Sequence, residues 1–189
     1  MRDYWDAVRK PASALNSYRK HDLRRTLKLL ITSAFFFSLG ASLLVSKIAF
    51  LAGAFSPGIF AGFLLAVFAL VILVSLGLGL VHEMISGIMG GRGKYYESLT
   101  AISFFWAAPS VGLFITSLLL FVPYVGIILG SFIVALTFST GLASLYRSTK
   151  ELAKVDTLTS YIIVSILMLS FFVMFYSMIV FNFASLLGG

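Results

Sequence analysis

The chain contains no cysteine and no glutamine, and among its 189 residues only two histidines, two asparagines and seven acidic residues. Without cysteine there are no disulfides, no thiolate nucleophile and no Cys-containing metal site. The scarcity of amide side chains is the bias expected of a thermophilic source. No acidic residue lies within any of the long apolar runs. Pumps and coupled transporters bury such groups near the bilayer centre to carry protons or coordinate ions, so the sequence speaks against that class.

What the chain has instead is apolar surface. Hydrophobic residues make up 60% and charged residues 11%, with a mean hydropathy of +1.03. That is far more than a soluble core of this size requires. Uninterrupted apolar runs of roughly 20 residues match a hydrocarbon core about 30 Å thick. The spacing predicts an all-α, polytopic membrane helix bundle of about five transmembrane helices, over residues 27–47, 57–82, 99–121, 124–145 and 158–187. Pro57 suits a first helical position. Pro109 lies near the middle of the third span, where the missing N–H predicts a kink. The segment around Gly87, Gly90, Gly91 and Gly93 breaks the chain between spans two and three, and Pro123 marks the turn before span four.

Orientation follows from basic residues. The formal charge is +7, and thirteen of the fourteen lysines and arginines fall in the N-terminal segment, the loop around Arg92 or the loop around Lys150, leaving Lys47 alone on the other side. Short basic loops stay in the cytoplasm, which predicts a cytoplasmic N-terminus and an outer C-terminus. The charge therefore belongs with anionic headgroups rather than nucleic acid. Residues 1–26 form a cytoplasmic basic segment and 27–189 the membrane domain. Met1 to Lys28 lacks the pattern of a cleaved signal peptide. Within it, Trp5, Val8, Ala12, Leu15 and Tyr18 recur at spacings of three and four, among Arg2, Arg9, Lys10, Arg19 and Lys20. They predict one or two helices lying in the headgroup plane, interrupted at Pro11. Trp5, Arg9, Lys10, Arg24, Arg25, Lys28, Arg147, Lys150 and Lys154 are the expected lipid-facing anchors.

Catalytic signals are weak. His82-Glu83-Met84-Ile85-Ser86 resembles a zinc-binding helix, but Ser86 stands where the second histidine belongs, and His21 is remote in sequence. No histidine or lysine sits deep in a span to activate a serine. Gly90-Gly91-Arg92-Gly93-Lys94 lacks the Ser/Thr and the preceding strand of a phosphate loop. We therefore expect no enzyme, metal or cofactor. His82, Glu83, Arg92, Lys94 and Glu97 are expected to form a polar cluster at the inner interface. Gly58 with Gly62, and Gly126 with Gly130, are each four apart beside a turn proline, and predict close approach of spans two and four.

Leu80-Val81-His82, the run Gly90-Gly91-Arg92-Gly93-Lys94-Tyr95-Tyr96-Glu97-Ser98-Leu99, Pro109, and Val122-Pro123-Tyr124-Val125-Gly126 together resemble the Yip1-domain family of small membrane proteins. The likeness is best over residues 80–163, with Pro11 and Leu15 a weaker match before the membrane. It implies a five-helix domain with a cytoplasmic N-terminus. Eukaryotic members act as adaptors of membrane trafficking that bind Rab-type GTPases and one another. The chain lacks their long N-terminal region and its Asp-Leu-Tyr-Gly-Pro-type motif, so GTPase binding is not carried over. It is more similar to the short archaeal and bacterial members, which places it in a prokaryotic plasma membrane. The reading is a non-enzymatic scaffold or adaptor, with anionic lipid headgroups, other membrane proteins or further copies of itself as partners. The alternative is a small channel or transporter lined by the Pro109-kinked span.

Overall fold

In the computed structural model, which describes residues 2–18, 23–51, 53, 55–122 and 124–187, every regular element among the described residues is a helix. Arg19, Lys20, His21 and Pro123 lie outside them, as do the side chains of Arg2 and Ala12. Two short helices, α1 (Arg2–Arg9) and α2 (Pro11–Tyr18), precede five long ones. These are α3 (Leu23–Leu51), α4 (Pro57–Ile88), α5 (Tyr95–Leu119), α6 (Val125–Leu152) and α7 (Thr157–Leu187). Of these, α3 to α6 are long and apolar enough to cross a membrane. Helix α7 has 31 residues and no charge. The chain is thus a membrane helix bundle.

The long helices start or stop where local chemistry directs. Ser56 caps α4 by accepting a hydrogen bond from the Ile59 N–H at 3.2 Å, with Pro57 in the first turn. Asp156 caps α7, accepting from the Thr159 N–H at 2.9 Å and its hydroxyl at 2.8 Å. Those bonds hold the exposed Asp156 carboxyl below its ordinary range, the Thr159 backbone bond contributing most. At the charged end α4 and α6 continue to Ile88 and Leu152, and α5 begins at Tyr95, each a turn or more beyond the predicted span. Helix geometry persists there because polar side chains take over from apolar ones without a breaker until Gly90.

Helix α5 is the axis of the bundle. Residues 98–110 are all buried, more than three consecutive turns, so neighbours must cover it on every side. Parallel α3 matches it in register, with Thr26 against Thr100, Phe37 against Trp106 and Phe36 against Phe114. Helix α4 flanks it antiparallel, as does α6, where Gly141 meets Pro109, Gly112 meets Thr137 and Gly130 meets Thr116. The serines and threonines of α5 do not leave polar groups unmet in the core. Ser103, Thr100, Ser110 and Ser117 donate to carbonyls three or four residues back at 2.7 to 2.9 Å.

Close packing falls at only one of the two expected glycine pairs. Gly62 has nothing within 4 Å of where a Cβ would sit, and Gly58 meets only the Ser56 hydroxyl at 3.9 Å. Gly126 and Gly130 are tight, yet against Leu119 and Thr116 of α5 rather than α4. The predicted approach of spans two and four fails because α5 lies between them. Glycine is instead required where a neighbour's backbone presses against α5, and Gly40 is the clearest case. A Cβ there would lie 2.8 Å from the Phe114 nitrogen. Pro109 is accommodated the same way. It cannot donate to the Phe105 carbonyl, which faces Gly141, where a Cβ would be 2.7 Å from the oxygen.

The N-terminal helices depart furthest from expectation. They are helical and interrupted before Pro11, as predicted, but they pack along α5 instead of lying flat. The Tyr4 phenol reaches Ser110 at 2.9 Å and the Ala107 carbonyl at 3.3 Å, while Tyr96 donates to the Tyr18 carbonyl at 3.1 Å. Fourteen residues separate Tyr4 from Tyr18 and Tyr96 from Ser110 alike, about 21 Å of helix rise in each. The arm therefore runs antiparallel to α5 in matched register. Its buried stripe is Tyr4, Ala7, Ala14, Leu15 and Tyr18, whereas Trp5 is 42% exposed. At about 100° per residue those five positions share one face and Trp5 falls outside it, so the buried face is turned from the one predicted through Trp5 and Ala12.

Candidate functional site

Two groups of polar residues gather at the charged end of the bundle, and a third lies along α1. The first is buried. His82, on the last turns of α4, is 1% exposed and spans three helices, with Nδ1 2.9 Å from the Ser98 hydroxyl of α5 and Nε2 2.9 Å from the Thr149 hydroxyl of α6. Thr149 donates its own hydrogen to the Leu145 carbonyl at 2.8 Å, so its oxygen accepts from Nε2–H. In the neutral ring Nδ1 is then the acceptor, and Ser98 supplies the proton. The histidine is a three-helix bolt whose hydrogen-bonding capacity is fully used.

This overturns the expected cluster. His82 does not meet Arg92 or Lys94, because it points into the bundle while they stand on the loop beyond it. Glu83, one residue on, is half-buried on the adjacent face. Glu97 accepts from the Lys94 N–H at 2.8 Å and caps the start of α5. Among the described residues no three His, Cys, Asp or Glu side chains come together as a metal-binding group. The Ser86 hydroxyl is buried without a hydrogen-bond partner.

The second group is a platform made of two loops that are far apart in sequence. The Arg92 N–H donates to the Ala153 carbonyl at 2.9 Å, and the Gly91 N–H to Ser86 at 2.7 Å. A side chain at Gly91 would come 2.8 Å from the Ser86 oxygen, and one at Gly93 would come 3.1 Å from the Ala153 Cα. Gly90, at φ +81, supplies the left-handed turn that starts the loop. The glycines are thus there to let the α4–α5 loop lie directly on the α6–α7 loop. Arg92, Lys94, Arg147, Lys150 and Lys154 all stand exposed on or beside it. Arg147 pairs with Glu151 at 2.8 Å, and Lys150 donates to the Thr157 hydroxyl at 2.8 Å. Arg24, Arg25 and Lys28 are exposed on the first turns of α3 at the same end.

Tyr95 and Tyr96 do not join this face. Their hydroxyls turn back into the bundle, Tyr95 to the Leu76 carbonyl at 3.2 Å and Tyr96 to Tyr18. The third group is the exposed side of α1, with Trp5, Asp6, Arg9 and Lys10, where the Arg9 guanidinium sits 5.9 Å from the Trp5 ring. Opposite, the buried Tyr4 phenol is pushed up to about 12, desolvation outweighing its bond to Ser110.

Sequence reasoning missed the bond between the two loops and the bolt between three helices. His82, Ser98 and Thr149 are 16 and 67 residues apart in the pairs that matter, a separation no motif spans. A histidine at the end of a long apolar run was the available signal. No protein-family model, curated protein or solved structure matches the chain.

Proposed function

We propose that the chain is a non-enzymatic integral membrane scaffold or adaptor of the Yip1-domain type, in a prokaryotic plasma membrane, working through a basic cytoplasmic face. One observation carries the reading: the two basic loops are fastened into a single platform by the Arg92–Ala153 hydrogen bond and the glycine contacts around it. Separate loops whose charge served topology alone would not need that fastening. A fixed array of guanidinium and ammonium groups suits anionic headgroups or an acidic protein surface, each charge near the membrane contributing on the order of 1 kcal/mol. The cytoplasmic assignment rests on the distribution of basic residues.

The competing reading, a channel or transporter along the third span, has less behind it. The carbonyl that Pro109 frees is covered by Gly141 of α6 rather than turned toward a cavity. Two cavities of about 540 and 580 Å³ lie near the opposite end, and Pro109 lines neither. To test the proposal, Arg92, Lys94, Lys150 and Lys154 are replaced together by glutamine, leaving the N-terminal segment to hold orientation. Affinity purification in mild detergent should then lose anionic lipid and protein partners while the bundle stays folded. Unchanged recovery of both refutes it.

A further inference from the structure

At the end of the bundle away from the basic platform, one cavity joins an apolar chamber to a single cation. Its volume is about 540 Å³, and its walls include Lys47, Ser46, Phe50, Phe55, Phe60 and Phe121, drawn from α3, the α3–α4 link, α4 and the turn after α5. That volume falls within the usual range of small-ligand sites, roughly 300 to 1,000 Å³. Lys47 is half-buried in the wall, its ammonium 5.2 Å from the Phe121 ring centre.

The position of Lys47 along the membrane sets what can bind. It follows Lys28 by nineteen residues on the same helix, about 28 Å of rise, so if Lys28 marks one headgroup layer Lys47 marks the other. It is the sole lysine or arginine between Lys28 and Arg92, and no other cation occurs on that side of the predicted topology. A ligand for this cavity therefore has an anionic group at headgroup level and an apolar body that enters hydrocarbon. The neighbouring cavity of about 580 Å³, between α3, α5 and α6, is lined by Leu44, Leu113, Thr116, Phe138 and others, with no charged residue. It has no feature that would select a headgroup.

We propose that the Lys47 cavity is a binding site for an anionic phospholipid of the outer leaflet. Its phosphate contacts the Lys47 ammonium and the Ser46 hydroxyl, and an acyl chain lies against Phe50, Phe55 and Phe60. Lys47 exchanges its contact with the Phe121 ring for the phosphate, a charge-assisted hydrogen bond that is the stronger of the two. The aromatic walls give the chain a fixed surface where bulk lipid offers mobile tails. The proposal is independent of the basic platform, which faces the other headgroup layer.

The basic residues at the platform end also attract anionic lipid, so the test must read the site itself. The full chain, carrying a benzophenone amino acid in place of Phe60, is reconstituted into vesicles of phosphatidylglycerol and phosphatidylcholine at one to four. After irradiation the cross-linked lipid is identified by mass spectrometry. The ratio of phosphatidylglycerol to phosphatidylcholine should rise about five-fold, from one to four to roughly five to four, the preference one lysine near the surface gives. Lys47→Gln should return it to the mixing ratio. A photoprobe at Ile128, a lipid-facing position of α6, should report the mixing ratio throughout. Recovery at position 60 that equals the mixing ratio, or an enrichment that Lys47→Gln leaves unchanged, overturns the proposal.

Discussion

Replacing Gly40 by alanine adds one methyl group at the tightest contact between α3 and α5, and its effect can be worked out from the geometry. The new Cβ would sit 2.8 Å from the Phe114 nitrogen, 2.9 Å from the Leu113 carbonyl carbon and 3.0 Å from the Phe114 Cα. All three are backbone atoms of the central helix, so no rotamer change can relieve the clash. Ordinary heavy-atom contacts lie near 3.5 to 4.0 Å, which means the helices must part locally by roughly 0.7 Å or more. Overpacking of this kind costs about 1 to 3 kcal/mol, and alanine recovers about 0.5 to 1 kcal/mol of helix propensity, leaving a net loss of roughly 1 to 2 kcal/mol. Gly62→Ala is the control, because nothing lies within 4 Å of its Cβ position and only the propensity gain remains. The propensity gain is common to both, so the two variants should differ by the overpacking cost alone, about 1 to 3 kcal/mol, or roughly 2 to 12 °C in melting temperature for a chain of this size. Thermal unfolding in dodecylmaltoside, followed by tryptophan emission, measures it, since Trp106 is buried against Phe37 and Phe105. If the two variants melt within about 2 °C of each other, the close approach of α3 to α5 is not as described.

Three further outcomes follow. His82→Ala leaves the buried Ser98 hydroxyl without its acceptor and opens a cavity among three helices, which should lower stability by about 2 to 4 kcal/mol in the same assay, more than Ser98→Ala, which opens little space but leaves Nδ1 unmet at about 1 to 3 kcal/mol. Tyr4→Phe removes the bond to Ser110, a loss of about 1 kcal/mol. Because burial raises the Tyr4 phenol from 10.0 to about 12, the folded chain keeps a proton that the unfolded chain releases, so stability falls as pH rises through that window. Tyr4→Phe should remove that part of the fall, seen by comparing melts at pH 9 and pH 11. Single cysteines placed at Lys94 or Lys150 in this cysteine-free chain should resist impermeant maleimide in intact cells and react after permeabilisation, and labelling from outside would invert the assigned topology.

The long helices were legible because hydropathy and helix length are local properties, readable one segment at a time. Lys28 and Lys47 bracket the first span at the depth a bilayer requires, with no tertiary information needed. Which helix stands in the middle was not legible. Spans two to four are all long and apolar enough to cross, yet α5 is enclosed and α4 is mostly open to lipid. The glycine pairs misled for that reason. Gly58 and Gly62 share the spacing of Gly126 and Gly130, but spacing says nothing of what lies opposite, and only the second pair faces α5. That His82 needs polar partners is legible, but which ones is not, because the nearest charges in sequence are not the nearest groups in space.

The N-terminal arm shows where sequence reasoning meets a genuine ambiguity. An amphipathic helix with tyrosine, alanine and leucine on one side satisfies that face equally well in the headgroup plane or in a groove between helices. What decides between them is complementary surface, and here α3 and α5 supply it. Phe36 stacks on Tyr4 with ring centres 5.6 Å apart, Phe104 meets Tyr18 edge-on at 5.1 Å, and Ser110 offers an acceptor to the phenol. A headgroup layer has no fixed acceptor for a phenol held in an apolar stripe, whereas the groove satisfies both halves of the side chain at once. The docked position carries its own demand. Phe36 lies two turns beyond Lys28, about 12 Å further into the bundle, so the exposed Asp6 and Arg9 next to Tyr4 need water or a polar partner rather than lipid tails. Trp5, Arg9 and Lys10, headgroup anchors in the sequence, thus stand once docked on the exposed side of an arm packed against α5.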